Sequence, residues 1–185
     1  QAANKFDPND SISNYLPYLK KTNKENMIIS EILMHQAQLW PWIPFYLDEL
    51  DSLDVLKSEY LRTKSDENHA VRLAQNLYID NKYAQKIYDT IAKSELWKWK
   101  EYRYSDLGFY WFKQIIELQS HRKLEDFVEQ EFYQPMGLKN IHFLPRQHFS
   151  IDRIVPTEYD SLFRKQLIRG DVHDPGAAML GGVGG

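Results

Sequence analysis

Tyr104, Ser105 and Asp106 set a phenol, a hydroxyl and a carboxylate on three consecutive residues. Residues two apart in a non-helical segment point to the same side, so Tyr104 and Asp106 are expected to share a face. A phenol beside a lysine ammonium gives up its proton more readily, because the opposite charge favours phenolate. Such a phenolate activates a serine hydroxyl, and the phenol protonates a leaving group. The same tripeptide has a plainer use: Ser105 or Asp106 caps the following helix by accepting a hydrogen bond from a free backbone N–H. The two uses are compatible, since a helix start is a rigid mount for a reactive loop. A second polar cluster, Gly170-Asp171-Val172-His173-Asp174, comes late, shortly before the ending Gly181-Gly182-Val183-Gly184-Gly185. That ending reads as a cut through a glycine-rich segment.

The elements that must position these groups are mostly helical in pattern. Asp10 to Pro17 has a polar start and a proline stop and predicts a short helix or turn. Ile28 to Gln36, with Ile28, Ile32 and Leu33 apolar, predicts a short amphipathic helix. Trp40-Pro41-Trp42-Ile43-Pro44-Phe45-Tyr46 breaks it, because two prolines remove donors and restrict the backbone. Leu50, Leu53, Leu56 and Leu61 suggest a helix over 50–61. Tyr83, Ile87, Tyr88 and Ile91 share one face of a helix over 83–91. The run from Leu107 to Leu118 is apolar on several sides and predicts a buried helix. A further amphipathic helix runs from Leu124 to Phe132 and stops at Pro135-Met136-Gly137. From His142 onward, Pro145 and Pro156 with Ile151, Ile154 and Val155 suggest loops and one or two short strands. The fold class expected is mainly α with a few short strands.

Composition narrows the function classes. A chain of 185 residues can bury a real core. A net charge of −3, with both signs interspersed, fits neither nucleic acid nor an anionic membrane surface as partner. No apolar run approaches a membrane span, and Gln1 opens no signal-peptide pattern. The absence of cysteine excludes disulfides and thiolate metal sites. The six histidines suggest no metal site. His35 lies at a helix end, His69 and His121 read as exposed, and His142 and His148 straddle a proline loop. His173-Asp174 falls short of the three protein ligands of a catalytic zinc and reads as a loop-shaping hydrogen bond. Trp97-Lys98-Trp99-Lys100 reads as core packing or cleft lining rather than base stacking. The aromatic stretch 40–46 reads as core packing or as the rim of a substrate entrance.

Five short segments, in order, resemble the serine β-lactamase and penicillin-binding protein superfamily of class C type. Ile32-Leu33-Met34-His35-Gln36-Ala37-Gln38-Leu39 is similar to that family's L-L-T-H-x-S-G-L, and Tyr104-Ser105-Asp106-Leu107-Gly108-Phe109 to its Y-S-N-L-G-Y. Phe127 through Leu138 resembles its F-x-x-P-L-G-M helix and turn. Pro156-Thr157-Glu158 and Gly170–Asp174 resemble its P-T-E and G-x-V-H-D. The stretch 40–46 resembles the branch fused to family 3 glycoside hydrolases.

The resemblance implies a serine acyl hydrolase acting outside the cytoplasm on a peptidoglycan-type peptide, a β-lactam or an ester, without cofactor. It implies that residues 1–185 are part of one β-lactamase/transpeptidase-like α/β domain. The helical lobe would occupy about 10–140 and a loop and short-strand region about 141–185, and the rest of the domain would be supplied from outside. Tyr104 matches the family's proton-transfer tyrosine, and Asp106 stands where it has asparagine. A carboxylate only accepts hydrogen bonds whereas an amide also donates, so Asp106 fits a role in holding a lysine charge. Met34 and Gln38 replace the family's Thr and Gly, and the second matters if that position takes a positive φ. The chain's S-x-x-K, Ser120-His121-Arg122-Lys123, follows Tyr104 where the family's nucleophile precedes it. Ser120 is therefore read as a cap, with Arg122 and Lys123 solvated, and the nucleophile as lying outside this chain. These departures keep open a second reading, a family fold that has lost its chemistry and serves as a binding module.

Overall fold

The computed structural model describes residues 6–183 apart from Asp54 and Ser58. Gly184 and Gly185, the end of the glycine-rich tail, lie outside the described residues. The chain divides into two units, 1–43 with 86–122 and 44–85 with 123–185.

In the first unit, single turns of 3-10 helix at Ile12–Asn14 and Pro17–Leu19 carry out the short-helix expectation. Helix α1 (Ile29–Leu33) is anchored at its start, where Ile29 N–H donates to the Asp10 carbonyl at 3.0 Å. Helix α2 (Tyr83–Lys93) carries the chain from the second unit into the first. Its predicted face is the buried one, with Tyr83, Ile87, Tyr88 and Ile91 all under a tenth exposed. Helix α3 (Leu107–Ser120) is buried on several sides, as its broad apolar surface requires, through Leu107, Tyr110, Trp111, Phe112 and Ile115. Gly108 lets α3 approach α1: a Cβ at that position would lie 2.3 Å from Ile32 Cγ2.

The second unit departs from expectation. None of the described residues between 50 and 57 is helical. The Asp51 carboxylate accepts from the N–H groups of Leu53 and Val55 at 2.8 and 3.0 Å, and Leu50 bridges to Leu56. A short acidic side chain that captures nearby backbone donors competes with helix formation, and Leu53, at 79% exposure, does not share the burial of Leu50 and Leu61. The chain then forms an antiparallel sheet in the order β1 (Leu61–Arg62), β3 (Leu77–Ile79), β2 (Val71–Ala74), inside the span expected to be helical. Helix α4 (Leu124–Val128) widens into a π turn over Glu129–Tyr133, close to the predicted 124–132, although only Leu124 is buried. Ile151 and Val155 are exposed and Ile151–Arg153 is a 3-10 turn. The strands fall later, as the hairpin of β4 (Glu158–Asp160) and β5 (Gln166–Ile168), closed where the Asp160 carboxylate accepts from Leu162 and Phe163 N–H. Helix α5 (Pro175–Met179) was not foreseen. Pro175 opens it and the Asp174 carboxylate caps it by accepting from Ala177 N–H at 2.9 Å.

Candidate active site

Residues 35–41 and 97–106, within the first unit, are laced together by hydrogen bonds. Arg103 N–H donates to the His35 carbonyl at 2.8 Å, and Asp106 N–H donates to the Pro41 carbonyl at 3.0 Å. Ser105 is held twice: its N–H donates to His35 Nδ1 at 3.2 Å and its hydroxyl to the Trp40 carbonyl at 2.6 Å. Gln38 ties the far end, accepting from Trp97 N–H at 2.7 Å and donating from Nε2 to the Trp97 carbonyl at 2.9 Å. The two segments that each carry family-like residues are thus one assembly.

The turn that makes this possible is made by two non-glycine residues in the left-handed region, His35 at φ 57° and Gln38 at φ 58°. Position 38 does require positive φ, where the family-like pattern has glycine. The left-handed conformation costs a side-chain-bearing residue roughly 1–2 kcal/mol. At Gln38, the amide's bond to Trp97 offsets part of it.

The lacing leaves Tyr104 exposed (58%), Ser105 buried and Asp106 half-buried. The Tyr104 ring packs on the His35 imidazole with centroids 4.6 Å apart and planes tilted by 38°. Of the two capping candidates, Ser105 reaches the first turn of α3, accepting from Leu107 N–H at 3.3 Å, whereas Asp106 makes no side-chain cap. The Asp106 carbonyl starts the helix by accepting from Phe109 N–H at 2.9 Å. The Ser105 hydroxyl is engaged by backbone groups on both sides, which marks it as a structural residue. An exposed tyrosine on a loop fixed at the residues before and after it can take part in proton transfer without costly reorganisation.

The other residues singled out in the sequence sit elsewhere. Ser120 closes α3, accepting from Arg122 N–H at 3.2 Å, and Lys123 is exposed. Trp99 is exposed rather than packed in a core, while Trp97 meets Trp40 edge-on at 4.9 Å and lies under the Arg103 guanidinium. His121 is exposed, but His69 is buried, contrary to expectation, with Nδ1 2.8 Å from Asp66 Oδ1. That bond holds the Asp66 carboxyl below its usual value. His142 and His148 stack at 4.1 Å. Among the described residues no three His, Asp or Glu side chains are placed to hold a metal ion. No helix among them is long and apolar enough to cross a membrane.

The Gly170–Asp174 segment is organised by a residue that the sequence did not single out. Arg164 is buried with its Nε 2.7 Å from Asp160 Oδ2, and its Nη atoms donate to the carbonyls of Val172 (2.5 Å) and His173. Asp171 is clasped by Arg72 at 2.7 Å and Arg146 at 3.4 Å. His173 contributes its carbonyl and Asp174 caps α5, so the pair shapes the loop. The only local signal for Arg164 was its i,i+4 spacing from Asp160.

The sequence profile of the Beta-lactamase family matches residues 1–170. The N-acetylmuramyl-L-alanine amidase of Bacillus subtilis (strain 168) is 25% identical over 199 residues, covering 98% of this chain and 40% of the amidase. This chain thus spans well under half of that relative's length. The crystal structure of a candidate β-lactamase from Bacteroides dorei DSM 17855 superposes with a TM-score of 0.50 at 13% identity, over 88% of this chain and 38% of that one. At such identity the likeness speaks for the fold.

Proposed function

The chain belongs to the Beta-lactamase family, and from that premise we propose that it is the middle portion of a class C-type serine acyl hydrolase in which Tyr104 transfers the proton. Residues 1–185 are then part of one domain, chiefly its helical lobe, and inactive alone. A serine and a lysine from sequence outside this chain complete the site. The serine oxygen attacks an ester or amide carbonyl while Tyr104, as phenolate beside the lysine, takes the hydroxyl proton. The phenol returns that proton to the leaving group as the tetrahedral intermediate collapses to the acyl-serine. Water, deprotonated by the same phenolate, releases the acid and restores the serine. Asp106 orients the lysine charge or the substrate.

The observation that carries this reading is the exposed Tyr104 phenol on a loop bonded at Arg103, Ser105 and Asp106 to residues 35–41. The amidase relative favours a peptidoglycan-type peptide as substrate and a place outside the cytoplasm. The aromatic stretch 40–46 favours the branch joined to family 3 glycoside hydrolases. A catalytically lost binding module is the competing reading, prompted by Asp106 in place of asparagine and by Met34 and Gln38 in place of threonine and glycine.

The test is to express the protein with its native flanking sequence and treat it with a fluorescent acyl probe. Labelling and turnover are expected in the wild type, with Tyr104→Phe lowering turnover by about 100-fold or more. Undiminished turnover in that variant would remove Tyr104's role, and no labelling of the wild type would favour the binding module.

A further inference from the structure

We propose that His35 is the positioning residue for the Tyr104 phenol, holding its loop through Nδ1 and backing its ring with the imidazole face; this rests on the catalytic reading of Tyr104. His35 bonds to the residues on both sides of Tyr104. Its carbonyl takes the N–H of Arg103 at 2.8 Å, and its Nδ1 takes the N–H of Ser105 at 3.2 Å. Tyr104 is the intervening residue, and its ring lies against the imidazole at 4.6 Å. Tyr102 meets the imidazole edge-on at 5.9 Å and Phe109 lies at 5.6 Å, so the ring is confined by aromatic neighbours.

Two physical points separate this from an ordinary turn. An Nδ1 that accepts from a backbone N–H carries no proton, so the neutral ring bears its proton on Nε2. Protonating Nδ1 would set donor against donor and release Ser105. Second, His35 sits at φ 57°, where glycine or asparagine would make the same turn with less strain. A side chain kept in a strained conformation, with both its backbone and its ring committed to the residues around one phenol, fits a role in presenting that phenol.

The experiment uses the protein with its native flanking sequence, p-nitrophenyl acetate as substrate, and two variants. His35→Phe keeps an aromatic face and removes the acceptor. His35→Asn removes the ring but supplies Oδ1 close to the Nδ1 position, and asparagine tolerates positive φ. For His35→Phe we expect kcat to fall about 10- to 100-fold with KM nearly unchanged, as a misplaced reacting group does. His35→Asn should recover part of that loss.

A spectroscopic readout runs beside it. In the wild type, the histidine 15N spectrum should show His35 protonated on Nε2. A 3-fluorotyrosine resonance assigned through Tyr104→Phe should shift or broaden in His35→Phe. The proposal is overturned by an Nδ1-protonated His35, or by a Tyr104 resonance indifferent to His35→Phe. It is equally overturned if His35→Phe and His35→Asn behave alike in kcat. If Tyr104→Phe turns over as fast as wild type, the catalytic reading fails, while the spectra still decide whether His35 places the phenol. The wild-type 15N spectrum decides by itself should a variant not fold.

Discussion

Replacing Gly108 by alanine probes the junction on which the candidate site is mounted. A Cβ there would stand 2.3 Å from Ile32 Cγ2 and 3.5 Å from Leu39 Cδ1. Carbon atoms settle at about 3.5–4.0 Å, so Ile32 or the helices must give way by more than 1 Å. Ile32 has little freedom to do so: it is 2% exposed, and a β-branched side chain in a helix is confined to essentially one rotamer. Overpacking of this kind costs about 1–3 kcal/mol. Exchanging glycine for alanine inside a helix returns about 1 kcal/mol. We therefore expect Gly108→Ala to lower stability by up to about 2 kcal/mol, read as a lower urea midpoint at unchanged slope. Ile32→Leu removes the clashing γ-methyl, so the double variant should recover about 1 kcal/mol relative to additivity. Gly108 lies two residues beyond Asp106, so parting α3 from α1 should also loosen the lacing of 103–106 to 35–41. A Gly108→Ala protein more stable than wild type, or strict additivity with Ile32→Leu, would refute the packing argument.

Three further expectations follow from the same geometry. At Gln38, alanine keeps the left-handed strain and loses the bond to the Trp97 carbonyl, costing about 1 kcal/mol, whereas glycine removes the strain; urea titration should rank Gln38→Gly above Gln38→Ala. Arg164→Met leaves the Asp160 carboxylate and the part-buried carbonyls of Val172 and His173 without their partner and should cost about 3–5 kcal/mol by the same measurement. Burial pushes the Lys24 ammonium down to about 8 from 10.5, so between those values the unfolded chain binds more protons and stability rises with pH. Burial raises the phenols of Tyr18, Tyr83 and Tyr88, whose folded forms keep protons that the unfolded chain loses above pH 10, so stability falls there. Urea midpoints against pH should rise above 8 and turn down beyond 10, and Lys24→Met should abolish the rise.

Helices α2 and α3 could be read directly, because one apolar face repeating every three to four residues is a local property of the chain. Helix α1 ended at Leu33, short of the expected Gln36 and well ahead of the prolines at 41 and 44, because the chain turns through left-handed residues at His35 and Gln38. Leucine spacing over 50–61 failed because Asp51 captured the backbone donors that a helix needs, a competition that spacing does not register. The β1–β3–β2 sheet escaped because its strands are two to four residues long, too short for alternation to declare itself.

The candidate site divides in the same way. The types and order of its residues, Tyr104 and Asp106 with the His35–Leu39 segment, were written in the chain, as was the question of a positive φ at 38. That His35 grips both neighbours of Tyr104, and that Arg164 binds the 172–173 carbonyls, was decided only in three dimensions. Those contacts join residues about 70 positions apart in the first case, and in the second they place a buried guanidinium on backbone carbonyls, which carry no side-chain identity in a sequence.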